Sequence, residues 1–372
     1  MATECEKEPA APFMNARIAA LRARLAGRGA DAFFSLDPPT NTYLTGFRGT
    51  TSAVLVTAGD AVLLCDFRYT EQAQQQVSGC RVVEITGIME VRVGEWLAKL
   101  DSRSALFEPE RITFGRHEAV RAAAPGIAVA PAPGLVEELR QIKDAGEIAK
   151  IRRACQIAES ALAEVVAGLR TGVTERETAA LLEHEFKRRG AQGASFDTIA
   201  LFGARSSLPH GEPTDKALEN GDIVLIDCGC LVDGYCSDLT RTFFFGRIPG
   251  AWAEEIYLCV RQAQQAALAA LRAGAGASTV DAAARDLIAR AGHGPRFGHG
   301  TGHSVGLEVH ENPRLNVLSK AVLSAGMAVT VEPGIYLPGR GGVRIEDLVV
   351  VTKDGCDILT AGISKDLQVI GK

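Results

Sequence analysis

The first third of the chain alternates short apolar runs with stretches of helical periodicity. The apolar runs are rich in β-forming residues and have the length of strands; they are AFFSL at 32–36, AVLLC at 61–65 and RVVEI at 81–85. Helical patterns cover residues 17–29 and 69–77. The alternation predicts a small α/β domain. This domain ends near residues 125–135, where three prolines favour an extended connector.

A helix–helix–hairpin unit is predicted for the residues that follow. A long helical pattern covers residues 145–169, and Thr174 and Glu177 have the spacing of a capping box that starts a second helix. The strand pattern GDIVLIDCG is then followed by Asp233-Gly234 and by a second strand pattern, SDLTRTFFFG. An Asp-Gly dipeptide between two β-rich runs indicates a hairpin.

The same plan repeats in the last third of the chain. A helical pattern covers residues 251–273, and Ser278 and Asp281 mark the start of another helix. The strand patterns GMAVTVEPG and GVRIEDLVVV follow, and Asp227 of the first copy aligns with Glu332 of the second at an offset of 105 residues. A duplicated unit places its two hairpins about a pseudo-two-fold axis, so the two acids can converge on one centre.

The composition is that of a soluble globular protein. The 372 residues are 47% hydrophobic and 23% charged, with a net charge of −5, and the length suggests two domains. No apolar run reaches the about 18–20 residues of a membrane span, and no basic block is present, so we expect neither a membrane nor a nucleic-acid partner.

The cysteines and the N-terminus bear on the compartment. The N-terminus lacks the apolar segment of a secretory signal, and the nine cysteines, including Cys5, are scattered without a Cys-x-x-Cys pair. This pattern predicts reduced thiols in a cytoplasmic protein. A zinc site formed by Cys228, Cys230 and Cys236 is the alternative.

Four acidic residues lie on the two predicted hairpins. With the Asp-Gly dipeptide as its turn, the first hairpin sets Asp227 opposite Thr240, and Asp238 projects from the same face. In the second hairpin, a loop centred between them sets Glu332 opposite Glu346. Carboxylates this close repel each other unless a cation lies between them or one takes a proton. The four therefore predict a cage for hard or borderline divalent metals, with ordinary strand-surface acids as the alternative.

Four of the seven histidines have a context that suggests chemistry. His299, His303 and His310 lie within the segment HGTGHSVGLEVHE, and His210 lies in LPHG. The neighbouring glycines permit a close approach of the backbone to a ligand or metal. Beside a carboxylate cage, these histidines are predicted to act as metal ligand, proton shuttle and substrate contact. No comparable context surrounds the remaining three, His117, His184 and His293.

The motifs IDCG, SDLTRT, GHGTGHSVGLEVHE, VEPGIY and VRIED resemble those of the pita-bread metallopeptidases, most closely the branch of aminopeptidase P and prolidase. The segments YLTGFRGT and CDFRYTEQA are similar to the creatinase-type N-terminal domain, and KDAGEIAKIRRA to the first helix of the pita-bread domain. The resemblance implies an α+β protein with a creatinase-type α/β domain at 1–135 and a duplicated pita-bread catalytic domain at 136–372. It also implies a homodimer, and we expect the N-terminal domain to cover the mouth of the site in its own subunit or in a neighbouring one.

The resemblance further implies a centre of two divalent ions. Mn²⁺ or Co²⁺ is expected, with Zn²⁺ or Fe²⁺ as alternatives. The five ligands would be Asp227, Asp238, His303, Glu332 and Glu346. Of these, Asp238 and Glu346 match the ligands that bridge the two ions.

Five further residues match substrate-handling positions of the family. Three are histidines that contact substrate and stabilise the tetrahedral intermediate: His210, His299 and His310. Arg344 matches an arginine that supports the last metal ligand. Arg314 matches a position that contacts the substrate carboxylate in some prolidases; an ion pair with Glu311 is the alternative for this arginine.

The expected activity is that of an Xaa-Pro aminopeptidase acting on short proline-containing peptides, with an Xaa-Pro dipeptidase (prolidase) as the alternative. A creatinase-like hydrolase and a non-catalytic binding protein share the fold, but the complete ligand set argues against both. A methionine aminopeptidase shares the ligands but does not need the first ~135 residues, a length close to that of a whole domain.

Overall fold

The structure, a computed structural model, describes residues 12–371, so Cys5 lies outside the described residues. It divides into two compact units, of which the first ends at Arg140 and the second begins at Gln141. Among the helices of residues 12–371, none has the length and hydropathy that crossing a membrane requires.

The division after residue 140 lies slightly beyond the boundary expected at residue 135. The carboxylate of Glu108 accepts hydrogen bonds from the backbone N–H groups of Val136 and Glu137, at 2.8 and 3.0 Å. Arg24 donates to Glu138 at 2.7 Å. These bonds attach the segment after residue 135 to the first unit.

Over residues 12–140, the first unit is a six-stranded mixed sheet with six α-helices, as the alternating pattern predicted. The helices are α1 (Pro12–Gly27), α2 (Pro38–Thr45), α3 (Thr70–Gln76), α4 (Met89–Lys99), α5 (Phe114–Ala123) and α6 (Glu137–Arg140). The strands are β1 (Ala32–Ser35), β2 (Ala53–Thr57), β3 (Ala61–Cys65), β4 (Arg81–Glu84), β5 (Ser104–Phe107) and β6 (Ala128–Pro131). They are ordered β4-β3-β2-β1-β5-β6.

The proline-rich segment at 125–135 differs from the predicted connector because it contains β6. This strand is the outer one of the sheet and pairs in parallel with β5. An edge strand pairs with a neighbouring strand on one side only, so it tolerates a proline such as Pro131, which lacks a backbone N–H group.

The second unit contains the duplicated halves. Its helices are α7 (Ala145–Ala167), α8 (Glu175–Arg188), α9 (Ala251–Ala270) and α10 (Ala277–Arg290). The strands of the first half are β7 (Ile199–Phe202), β8 (Ile223–Cys228), β9 (Leu231–Val232), β10 (Tyr235–Cys236) and β11 (Leu239–Phe245). Those that follow are β12 (Gly302–Ser304), β13 (Glu311–Leu315), β14 (Ala328–Val331), β15 (Gly334–Leu337), β16 (Gly341–Arg344), β17 (Asp347–Val351), β18 (Cys356–Ile358) and β19 (Val369–Ile370).

The strands of this unit form two main sheets, ordered β19-β11-β8-β7 and β13-β12-β14-β17-β18, with ribbons β9/β10 and β15/β16. Each helix pair packs its apolar face on one half. In the first half, Leu162 and Phe186 share a buried cluster with Ile226. In the second, Val260 packs in a cluster with Val331. Burying a side chain of this size contributes roughly 1.5–3 kcal/mol, so the helices hold the hairpins in place.

The second helices of the two halves, α8 and α10, begin with different capping interactions. Thr174 and Glu177 form the predicted capping box, because each side chain accepts a hydrogen bond from the other residue's backbone N–H. The helix predicted to start at Ser278 and Asp281 is α10, which begins at Ala277 and has no side-chain cap. Asp281 is fully buried and instead accepts hydrogen bonds from the N–H and hydroxyl of Thr301, at 3.0 and 2.8 Å.

Candidate active site

Two hairpins bring the four predicted acids together. In the first, Asp227 pairs with Thr240 across β8 and β11, as predicted. In the second, the register of β14 with β17 and that of β15 with β16 agree, which sets Glu332 opposite Glu346. The positive φ angles of Asp233 and Gly234, 50° and 82°, form the tight turn expected of this dipeptide.

His303 lies among these acids. Its Nε2 atom is 3.6 Å from Asp238 Oδ2 and 3.3 Å from Glu332 Oε1. Donor atoms of Asp238, His303 and Glu346 all lie within 4.8 Å of one another. The Nδ1 atom is 3.2 Å from the carbonyl oxygen of Ser304, which can only accept, so Nδ1 carries the proton. In the neutral ring, Nε2 therefore faces the carboxylates with a lone pair, the form that binds a metal.

The protonation of the acids reflects their crowding. Burial, together with the nearby charge of Glu346, raises the pKa of Asp238 well above its ordinary value. Burial and the charge of Glu332 raise the pKa of Glu346 in the same way. Burial also raises the pKa of Asp227, against the lowering effect of Arg344. A cation bound among these groups would remove the repulsion that raises the pKa values.

Glu332 is the exception. Burial raises the pKa of Glu332, but in the metal-free protein a protonated His303 would donate a hydrogen bond from Nε2, and this bond and its charge outweigh burial and lower the pKa to about 2. Thr330 supports the pair, because its hydroxyl donates to Glu332 Oε1 at 3.3 Å and accepts from the backbone N–H of His303 at 3.0 Å.

Asp227 has a buried carboxylate oxygen that is suited to bind a metal ion. Its Oδ2 atom accepts a 2.6 Å hydrogen bond from Arg344, whereas Oδ1 is buried without a hydrogen-bond partner among residues 12–371. A buried acceptor without a partner costs about 1–3 kcal/mol or more when charged. An oxygen of this kind beside further carboxylates and an imidazole fits a divalent cation.

Arg344 forms hydrogen bonds both with the acidic cluster and with the loop that carries His210. Its buried guanidinium donates to Asp227, to the hydroxyls of Thr240 and Tyr336 at 3.0 and 2.9 Å, and to the Pro209 carbonyl at 3.2 Å. Burial lowers the pKa of Arg344, but the charges of Tyr336 and Asp227 outweigh burial and raise it. The guanidinium thus supports a predicted metal ligand and also fixes the loop that carries His210.

His299 has a different environment from the other outer histidines. Its Nδ1 atom is 2.8 Å from the carbonyl oxygen of Gly300, and its Nε2 atom is 2.8 Å from the hydroxyl of Tyr336. Burial lowers its pKa, which favours the neutral ring. Both ring nitrogens are therefore engaged within the protein, so in this structure His299 holds Tyr336 and presents no free nitrogen to a substrate.

His210 and His310 are both exposed at the site. The ring of His310 lies edge-on to that of His303, with centroids 4.4 Å apart. Partial burial and the adjacent His303 lower the pKa of His310 to about 4. The ring is therefore neutral at physiological pH and can both donate and accept a hydrogen bond.

Arg314 lies directly opposite His303 in the pairing of β12 with β13. Opposite residues of an antiparallel pair share a face, so the exposed guanidinium projects towards the same side as the imidazole. Its alternative partner, Glu311, is buried and pairs with Lys143 at 3.2 Å instead. The expectation of an Arg314–Glu311 ion pair was therefore wrong.

One cavity of about 610 Å³ unites the site. All ten residues singled out in the sequence line it: Asp227, Asp238, His303, Glu332, Glu346, His210, His299, His310, Arg314 and Arg344. Sequence reasoning missed other wall residues, among them Phe196, Asp197, Thr198, Ile199, Glu212 and Asn316. It also missed Tyr336, although the motif VEPGIY contains it.

The cysteines do not form the alternative zinc site. Cys228 and Cys230 lie in the apolar cluster under α7 and α8, whereas Cys236 packs in a separate cluster. All three are free buried thiols, and within residues 12–371 they form no three-ligand group. Burial raises the pKa of each thiol, which disfavours the thiolate that binds zinc.

Comparisons with known proteins agree with this architecture. Residues 17–142 match the family described as Creatinase/Prolidase N-terminal domain, and residues 149–353 match Metallopeptidase family M24. The solved Xaa-Pro dipeptidase from Bacillus anthracis is 39% identical, with a TM-score of 0.92 over 96% of this chain and 100% of the other.

Two further solved structures are similar over nearly the whole chain. The prolidase from Pyrococcus horikoshii OT3 is 35% identical, with a TM-score of 0.87 over 93% of this chain and 98% of the other. The X-Pro aminopeptidase from Thermotoga maritima MSB8 is 37% identical, with a TM-score of 0.87 over 92% and 98%. The chain therefore belongs to metallopeptidase family M24 and is an enzyme of that family.

Proposed function

We propose that the protein is a divalent-metal-dependent Xaa-Pro dipeptidase, which hydrolyses the bond between an N-terminal residue and a C-terminal proline. The sequence pattern favoured an Xaa-Pro aminopeptidase and kept the dipeptidase as the alternative. The observation that reverses this order is the position of Arg314. Its guanidinium lines the cavity on the side of His303 and has no acidic partner within 4.0 Å among residues 12–371.

The chemistry of the two substrate classes differs at one group. A dipeptide carries a carboxylate directly after proline, whereas a longer peptide has an uncharged amide there. A guanidinium binds a carboxylate through two parallel hydrogen bonds and gains little from an amide. Because Glu311 is bound to Lys143, the Arg314 side chain is available for the carboxylate of a dipeptide.

The similar structures also favour the dipeptidase over the aminopeptidase. Two of the three compared above are described as an Xaa-Pro dipeptidase and a prolidase, and the third as an X-Pro aminopeptidase. These descriptions support a preference for proline, and we infer that the choice between a dipeptide and a longer peptide depends on residues such as Arg314.

The metal assignment follows from the donor set. We infer that Asp227, Asp238, His303, Glu332 and Glu346 hold two divalent ions, with Mn²⁺ or Co²⁺ preferred over Zn²⁺ or Fe²⁺. When bound, such ions polarise a carbonyl and make water a better nucleophile.

The remaining groups act on the substrate through hydrogen bonds. His310 is neutral at physiological pH, because its pKa is lowered to about 4, and can hydrogen-bond the peptide without adding charge. His210 is carried by the loop whose Pro209 carbonyl accepts from Arg344. His299 holds the Tyr336 hydroxyl and so contributes to the shape of the cavity.

Protein stripped by a chelator and reloaded with Mn²⁺ or Co²⁺ provides the test. We expect cleavage of Ala-Pro in the reloaded protein, no cleavage in the stripped protein, and little cleavage of Ala-Ala. Equal rates on Ala-Pro and Ala-Ala would rule out the proline requirement. Full activity in the stripped protein would rule out the metal assignment.

A further inference from the structure

Lys143 is a buried cation that lies behind the histidines of the site. It directly precedes Asp144, the residue that caps α7, and its side chain is 1% exposed. Its ammonium donates to the hydroxyl of Ser304 at 3.0 Å and to the Glu311 carboxylate at 3.2 Å. Its backbone N–H donates to the Gly326 carbonyl at 2.9 Å, which ties it to the segment leading into β14.

The two side chains that Lys143 contacts occupy equivalent places in the sequence. Ser304 directly follows His303, and Glu311 directly follows His310. Ser304 and Glu311 are also paired with each other at the base of the loop between β12 and β13. One ammonium therefore binds the residues next to both histidines, at the point where the register of the two strands shifts.

Glu311 also contacts the backbone of the loop between β12 and β13. Its Oε1 atom accepts from the backbone N–H of Glu308 at 3.3 Å. A Cβ atom at Gly306 would lie 2.6 Å from the same carboxylate, so glycine at this position makes room for Glu311. The loop from residue 305 to residue 310 is thereby fixed at its base and at its centre, and with it the ring of His310 against that of His303.

Stability alone does not account for an ion pair as buried as this one. The side chains of Lys143 and Glu311 are 1% and 4% exposed. The desolvation cost of such a pair often cancels its attraction, so that an apolar pair would serve the fold equally well. Because the ion pair lies beside Ser304, which follows His303, it can serve to position the histidines of the site.

We propose that Lys143, through Ser304 and Glu311, is a positioning residue that sets His303 and His310 relative to each other. The proposal rests on the proposed function, in which His303 binds metal and His310 contacts substrate. Outer residues that orient metal ligands are worth about ten- to a hundredfold in metal affinity or activity. We therefore expect Lys143→Met to weaken Co²⁺ binding and to lower kcat/KM on Ala-Pro, each by about ten- to a hundredfold.

The test compares three variants of the full-length protein. Lys143→Met removes the ammonium that donates to the buried Glu311 carboxylate, so it is also expected to lower the Tm of the metal-free protein. The double variant Lys143→Met/Glu311→Gln removes both charges and is expected to recover most of that Tm. Lys216→Met is the matched control, because it removes a partly exposed lysine that pairs with Asp222 and lies outside the cavity lining.

Co²⁺ affinity, followed by visible absorption, separates positioning from folding. The proposal predicts that the double variant, although its Tm recovers, still binds Co²⁺ about ten- to a hundredfold more weakly than wild type, and that Lys216→Met binds normally. Wild-type Co²⁺ affinity and kcat/KM in the double variant would overturn it, since only the charge balance would then matter. The affinity is read without substrate, so this result stands apart from any failure of the Xaa-Pro assignment.

Discussion

Replacing Arg314 by Met tests whether this guanidinium recognises the carboxylate that distinguishes a dipeptide from a longer peptide. Met keeps most of the length and apolar contact of the side chain and removes only the charge and the hydrogen-bond donors. The substrates are Ala-Pro and its C-terminal amide, Ala-Pro-NH₂, which have nearly the same shape and differ in the charge after proline.

The magnitude follows from the environment of the guanidinium. A hydrogen bond to a charged group contributes about 1.5–3 kcal/mol, and each 1.4 kcal/mol is about tenfold in affinity. Arg314 is exposed in the structure, so solvent screens part of this value. We therefore expect kcat/KM for Ala-Pro to fall about ten- to thirtyfold, mainly through KM, and that for the amide to fall by less than about threefold.

The four rate constants form a double-mutant cycle between the side chain and the substrate carboxylate. Arg290→Met is the matched control, because Arg290 is an exposed arginine at the end of α10 and does not line the cavity. Equal losses on Ala-Pro and its amide would exclude recognition of the carboxylate, since Arg314 would then act on the structure of the site.

Two further predictions concern the acids and His299. Asp238→Asn removes one of several crowded carboxylates whose pKa values are raised, so the metal-free variant should be at least as stable as wild type. We expect it to lose the rise of Tm with Mn²⁺, and its kcat/KM on Ala-Pro to fall to about 1% or less. Asp286→Asn is the exposed control, and a normal Mn²⁺ response in Asp238→Asn would contradict the assignment of Asp238 as a metal ligand. Because burial lowers the pKa of His299 below its ordinary 6.5, the unfolded chain takes up this proton first as the pH falls, so stability is lost below about pH 6.5. Between pH 7.5 and 5.5, metal-free wild type should therefore lose more Tm than metal-free His299→Gln, and parallel losses would show that His299 is not held neutral.

The hairpins were predictable because local signals set their register. The Asp-Gly turn sufficed to pair Asp227 with Thr240, and a loop centred between Glu332 and Glu346 sufficed to pair these two acids. The start of α10 was predicted to within one residue, but the sequence did not indicate that Asp281 makes a tertiary contact with Thr301 and does not cap the helix.

The contacts in and around the site were predictable where the residues lie in one motif, and they were not predictable where the partners are distant in sequence. His299, His303 and His310 lie within one short segment, so their proximity was evident. Lys143 and Glu311 are separated by 168 residues, and nothing in the local sequence of either indicates the other. The engagement of both nitrogens of His299 likewise depends on Tyr336, 37 residues away.

The most direct test of the proposed function is the relative rate of the Mn²⁺-loaded enzyme on Ala-Pro and on Ala-Pro-Ala. Both substrates present the same bond before proline, and only the first ends in a carboxylate next to it. We expect kcat/KM to be higher for Ala-Pro by about tenfold or more, because Arg314 binds that carboxylate. A higher kcat/KM for Ala-Pro-Ala would contradict the dipeptidase assignment and would favour an Xaa-Pro aminopeptidase.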